Sequence, residues 1–146
     1  MSSRIQLALN VSNLDQAIEF YSKFFNSEPA KVRPGYANFA IEDPPLKLVL
    51  IESAGVPGSI NHLGVEVTTS DEVTEASNYL SRVGLKARSE ESRTCCFALQ
   101  DKVWVDGVDG SPWEVYTVLG DSPISGCVTG DPCCAPSDSN TVTACC

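Results

Sequence analysis

The sequence predicts an α+β fold built from two β-α-β-β-β modules, and three observations predict it. Residues 5–11 and 61–67 both alternate between apolar and other side chains, and they stand 56 residues apart. A helix start follows each at once: Asn13 with Gln16, and Thr69 with Glu72, have capping-box spacing at the same 56-residue shift. Apolar positions in the first helix, Ala17, Phe20 and Phe24, then match Val73, Ala76 and Leu80 in the second. One constant shift across three elements marks an internal repeat, with module 1 near residues 4–52 and module 2 near 60–119.

Taken in order, the first strand divides by parity. Ile5, Leu7, Leu9 and Val11 share a face that suits a packed helix, while Gln6, Ala8 and Asn10 share the other. After the helix, residues 36–41 and 46–51 read as strands, with a weaker one at 30–32. Arg33-Pro34-Gly35 and Asp43-Pro44-Pro45 are the turn signals between them, and a Gly-, Pro- and Ser-rich stretch at 53–59 links the copies. In the second copy Leu63, Val65 and Val67 oppose His62, Gly64 and Glu66. Further strands are expected at 86–88, 95–99, 103–106 and 113–118, with Gln100-Asp101-Lys102 as a break and a candidate lid. Side by side, the two sheets would curl into an open, cup-shaped mixed sheet. Gln6 and His62 would project into that cup, and Ala8 and Gly64 would leave room in it. Residues 120–146, with three Asp, no Lys or Arg and few large apolar side chains, read as a disordered cysteine-containing tail.

A chain of 146 residues fits one domain, 1–119, plus that tail. A core of about 120 residues buries roughly two-thirds of its unfolded surface and needs no disulfide. The formal charge of −9 excludes nucleic acid and anionic membrane surfaces as partners, because phosphate binding needs basic patches. No run reaches the ~18 apolar residues of a membrane span, and the N-terminus lacks the pattern of a signal peptide, so a cytoplasmic protein is expected. Seven cysteines in a reducing compartment then need another explanation than a disulfide scaffold. Six form adjacent pairs, Cys95–Cys96, Cys133–Cys134 and Cys145–Cys146. An adjacent pair closes only a strained disulfide ring but makes a good bidentate trap for a soft, thiophilic ion.

His62 is the only histidine. The ordinary reading of a lone histidine is a hydrogen-bonded imidazole without metal. Its position argues for more, since Gln6 occupies the equivalent place in the other repeat. On the last strand Glu114 opposes Trp113 and Val115, and a glutamate in an apolar strand is costly unless paired or bound to a metal. An edge carboxylate facing water is the competing reading.

Paired β-α-β-β-β modules, with a candidate ligand on the first strand of each and a glutamate on the last, resemble the vicinal oxygen chelate superfamily. That superfamily includes glyoxalases, extradiol dioxygenases and fosfomycin and bleomycin resistance proteins. Within it the chain is similar to the carbon–arsenic lyases and the cadmium-induced proteins, through residues 32–41, 44–50, Thr94-Cys95-Cys96-Phe97 and 100–105. The resemblance implies Fe(II) ligands at Gln6, His62 and Glu114, a set of one nitrogen and two oxygens that leaves positions open for dioxygen and substrate. Mn(II) or Co(II) is not excluded. The fourth superfamily position falls on Leu48 or Val49 and carries no ligand, which weakens a glyoxalase-type isomerase.

From spacing alone, Cys95 and Cys96 are open between a trap and two packed small hydrophobes. Regular strand geometry points neighbours to opposite faces, so a trap needs a strand end, bulge or loop. The resemblance favours the trap. It implies that the pair holds a trivalent organoarsenical while iron and O2 cleave its carbon–arsenic bond and release arsenite. Lys102 and Tyr116 stand outside the core site, open between a solvated lysine and a core tyrosine on one reading and, on the other, a place near the cup as a charge or proton donor and a hydrogen bonder. Cys127 and the two tail pairs are open between arsenic capture, a passive sink and a dispensable tail. The chain is open between a single-chain pairing of modules and an exchanged homodimer. The rival functions are a non-enzymatic cadmium- or arsenic-binding protein, and an isomerase or drug-binding resistance protein on the same fold.

Overall fold

Both helices begin at their capping residues. Asn13 accepts a hydrogen bond from the Gln16 N–H at 2.9 Å ahead of α1 (Leu14–Phe25). Thr69 and Glu72 form a reciprocal capping box ahead of α2 (Ser70–Arg82). At the far ends, Asn26 closes α1 in the left-handed conformation, and Gly84, at φ 83°, follows α2. The computed structural model describes residues 3–95 and 97–123. Cys96, Cys127, Cys133, Cys134, Cys145 and Cys146 lie outside the described residues.

The strands are β1 (Arg4–Val11), β2 (Lys31–Arg33), β3 (Tyr36–Ile41), β4 (Leu46–Glu52), β5 (Ile60–Glu66), β6 (Ala87–Cys95), β7 (Ala98–Asp106) and β8 (Pro112–Asp121). With α1 following β1 and α2 following β5, the order is the expected β-α-β-β-β, twice. The 56-residue shift holds from the first strand through the helix to the start of the next strand, Lys31 against Ala87. It fails beyond, because β6 and β7 are each nine residues long where β2 has three and β3 six. By contacts, the described residues divide into one unit of 6–61 and another of 3–5 with 62–123.

In the first unit the strand order is β2-β3-β4-β1, with β2–β3 and β3–β4 antiparallel. Its core gathers Leu14, Ala37, Phe39, Ile41, Leu48 and Leu50, with Leu7, Leu9 and Val11 of β1 packed against them. The parity reading of β1 therefore holds. On α1 the inward stripe is Leu14, Ala17, Ile18, Tyr21 and Phe25, whereas Phe20 and Phe24 are exposed. Apolar residues at 17, 18, 20, 21, 24 and 25 permit two stripes of helical spacing, and Leu14 decides between them. The stretch after β4 is tied to the end of β1. Asn10 exchanges backbone hydrogen bonds with Ser59 and Gly58, at 2.9 and 2.8 Å, and its side chain meets Ser59 Oγ at 2.9 Å. A Cβ at Gly55 would lie 2.7 Å from Asn10 Nδ2, so that close approach requires glycine.

In the second unit the order is β5-β8-β7-β6, with β5 and β8 parallel and the other two pairs antiparallel. Arg4 bonds Glu66 at 2.7 Å. The expected break at Gln100-Asp101-Lys102 is corrected: these residues sit inside β7, paired with β6 on one side and β8 on the other. The expected strand at 95–99 likewise straddles the end of β6 and the start of β7. Three polar residues in a row look like a loop, but alternation continues through them, and a ladder on both edges satisfies their backbone groups. No lid forms there. β8 runs to Asp121, two residues into the stretch read as tail. Among the described residues no helix is long and apolar enough to cross a membrane.

Candidate metal centre

The site grows from one face of the second unit. Residues paired across neighbouring strands share a face. Gly64 pairs with Glu114, Glu114 with Trp104, and Tyr116 with Lys102. Alternation adds His62 on β5. The face thus carries His62, Gly64, Glu114, Tyr116, Lys102 and Trp104, and Gly64 keeps the space beside Glu114 free of a side chain.

His62, Glu114 and Lys102 are all buried, at 2%, 2% and 1% exposure. His62 Nε2 faces Glu114 Oε1 across 3.4 Å, long for a hydrogen bond but close enough for both to meet one cation. The second carboxylate oxygen, Oε2, accepts from Lys102 Nζ at 2.8 Å. Lys102 Nζ also lies 5.2 Å from the centre of the Trp104 ring and 6.0 Å from that of Tyr116, within cation–π range. The Trp104 ring meets His62 edge-on, with centres 5.5 Å apart, and so braces the imidazole.

Burial acts most strongly on the Glu114 carboxyl and raises it. The Lys102 charge, the contact with His62 and the Lys102 hydrogen bond outweigh that effect and bring it from 4.5 down to about 2. Glu114 is therefore an anion in the interior, the form in which a carboxyl group binds a metal.

Lys102, open in the sequence between a solvated place and one near the cup, is buried on this face. Its signal was present in the two-residue spacing Ala98, Gln100, Lys102, Trp104, all buried, but the polar run masked it. Tyr116 is buried too, and it stands in register with Lys102.

Gln6 is buried on β1 in the first unit, and its side-chain Oε1 has no hydrogen-bond partner. Interior acceptors are rarely left so. Among the described residues no three His, Cys, Asp or Glu cluster in a way that could hold a metal ion. Leu48 and Val49, at the fourth superfamily position, are packed in the interior. Cys95 is the last residue of β6, in register with Ala98. Cys95 therefore stands at a strand end, and Cys96 lies outside the described residues.

The profile of the Glyoxalase/Bleomycin resistance protein/Dioxygenase superfamily matches residues 4–115. The cadmium-induced protein CadI of Mycobacterium tuberculosis is 60% identical over 124 residues, covering 85% of this chain and 82% of that protein. The trivalent organoarsenical cleaving enzyme of Thermomonospora curvata is 53% identical over 143 residues, 97% of this chain and 95% of that enzyme. Among solved structures, the 2,3-dioxygenase LapB from Pseudomonas sp. KL28 matches 82% of this chain and 42% of its own, with a TM-score of 0.62 at 17% identity, a likeness of fold.

Proposed function

The chain belongs to the Glyoxalase/Bleomycin resistance protein/Dioxygenase superfamily, and from that premise we propose that it is a cytoplasmic Fe(II)- and O2-dependent enzyme that cleaves the carbon–arsenic bond of trivalent organoarsenicals. The observation that carries the reading is the buried pair His62 and Glu114, 3.4 Å apart, at two positions where the superfamily resemblance puts ligands. The near full-length relative named for cleaving trivalent organoarsenicals supports the substrate class.

Iron would be held by Gln6, His62 and Glu114. The donors fit: an amide oxygen buried without a partner, an imidazole and an ionised carboxylate suit a ferrous ion with open coordination positions. Bound there, Fe(II) supplies the dioxygen chemistry that amino-acid side chains lack. Lys102 occupies Oε2 of Glu114, leaves Oε1 for the cation, and fixes the carboxylate rotamer. Trp104 and Tyr116 line the same face and limit water around it.

Cys95 and Cys96 hold the substrate. Two thiols exchange with the two hydroxyls of an organoarsonous acid, forming two arsenic–sulfur bonds and releasing two waters. Arsenic then keeps its single carbon substituent, and the bond to be cleaved stays beside the reaction centre rather than meeting it by diffusion. Arsenite and an oxidised organic fragment are the products, with dioxygen as oxidant.

The test is an anaerobic titration with Fe(II), followed by admission of air in the presence of methylarsonous or phenylarsonous acid. Oxygen uptake matched by released arsenite is expected. Arsenic retained on the protein without oxygen uptake would make the chain a binding protein and end the proposal.

A further inference from the structure

We infer that the β-bulge at Ser92, locked by Asp101, sets the register that pairs Cys95 with Ala98, in step with Lys102 along β7; the inference rests on the arsenic-trap reading above. Early in the β6–β7 ladder even-numbered residues oppose even-numbered ones, Arg88 with Trp104 and Glu90 with Lys102. Continued without interruption, that register would set Thr94 against Ala98 and put Cys95 out of step with Lys102. It does not continue. Between Glu90 and Arg93 the pairing shifts, so that Glu91 and Ser92 stand opposite the single residue Asp101. Beyond the shift Arg93 pairs with Gln100 and Cys95 with Ala98. Ala98, Gln100, Lys102 and Trp104 are the buried alternation of β7, so one extra residue brings the Cys95 backbone into register with that alternation.

The bulge is held by specific contacts. Ser92 has φ 49°, in the left-handed region that a serine seldom occupies. Its N–H donates to Asp101 Oδ1 at 2.7 Å, and Ser70 Oγ, at the start of α2, donates to Asp101 Oδ2. A second tie between the same helix and strand joins Ser77 Oγ and Ser89 Oγ at 3.1 Å. Asp101 thus points toward α2 while its neighbour Lys102 points toward Glu114. One dipeptide serves both the register and the metal face, and Asp101 acts as a positioning residue.

The decisive property is that deleting Ser92 heals the ladder without moving Cys95, whereas forbidding the bulge slides the register. Ser92→Val with Asp101→Ala removes both the left-handed residue and its clamp, since a β-branched side chain resists positive φ. Register is read directly in the full chain with Cys96 and the five tail cysteines replaced by serine and with Ala98→Cys added. After oxidation, the disulfide between Cys95 and the introduced thiol is quantified by peptide mass spectrometry. Opposed positions close it readily and displaced ones do not. We expect a high yield in this background, a severalfold loss with Ser92→Val/Asp101→Ala, and recovery when Ser92 is deleted instead. In the chain with its cysteines intact, arsenite release should fall about 100-fold in the double variant, the usual consequence of an ångström-scale displacement, and stay within about threefold of wild type in the deletion.

The inference is overturned if the double variant keeps the disulfide, or if deletion of Ser92 loses arsenite release as the double variant does. Should the double variant not fold, Asp101→Asn alone is put through the same two measurements, and an unchanged disulfide yield together with unchanged release overturns the inference. A wild-type chain that releases no arsenite sinks the trap reading, while the disulfide yield still decides the register.

Discussion

The later strands of the two copies of the module differ in the balance of side chains they bury. In the first copy β3 and β4 bury Ala37, Phe39, Leu48, Val49 and Leu50. In the second, β7 and β8 bury Gln100, Lys102, Glu114, Tyr116 and Thr117. An apolar interior stabilises by burial, about 1.5–3 kcal/mol for each large side chain removed from water. A charged one gains little net stability, because desolvating Lys102 and Glu114 cancels most of their attraction. The first copy therefore carries the larger apolar cluster, and the second carries a buried charged pair. Gln6, Asn10 and Asn38 are buried polar residues of the first copy, and Val103 and Trp104 buried apolar ones of the second, so the division is one of degree.

The comparison is sharpened most by removing the proposed ligands. His62→Ala and Glu114→Ala should each lower arsenite release about 1000-fold, since a bound metal contributes several kcal/mol at 1.36 kcal/mol per factor of ten. Leu48→Ala, in the first copy, should leave release per folded molecule within a few-fold. Equal losses for all three would dissolve the contrast between the copies.

Next in size is the stability of the charged pair. Lys102→Met leaves Glu114 buried without its partner and should cost about 3–5 kcal/mol in denaturant unfolding, while Lys102→Met with Glu114→Leu should regain most of it. Recovery of stability without recovery of metal binding is the expected signature. A cost under about 1 kcal/mol for the single change would mean that water reaches the pair.

Leu50→Ala, the matching lesion in the apolar copy, should cost about 2–5 kcal/mol, and no second substitution at a charged site should rescue it.

The same pair imposes a pH dependence. Because Glu114 is depressed below its ordinary 4.5 to about 2, its contribution to the metal-free protein is complete above about 4.5 and lost as pH falls toward about 2. Thermal melts of the wild type should show that slope, and Lys102→Met/Glu114→Leu should flatten it. The smallest effect is expected at the exposed cap, where Asn13→Ala should cost about 1 kcal/mol and leave chemistry untouched.

Most of the fold was legible because its signals are local. Capping at Asn13 and Thr69, the parity of β1 and β5, and the bounds of β3 depend on residues within a few positions of one another. The inward stripe of α1 was less so, since two stripes of equal periodicity compete until Leu14 and the sheet beneath select one. Glu114 and His62 stood out as misfits in apolar alternation. Lys102 did not, because the polar run around it has the composition of a turn, and only pairing with strands on both sides makes it the middle of β7.

The sequence by itself determined the repeat, the element order, the caps and the faces of the first strands, all of which follow from periodicities of two and 3.6 residues along the chain. Tertiary structure alone decided that Lys102 neutralises Glu114, that Asp101 turns away to hold Ser92, and that Cys95 pairs in register with Ala98. Those outcomes depend on register between strands, and a single extra residue, invisible to any local period, reverses every face beyond it.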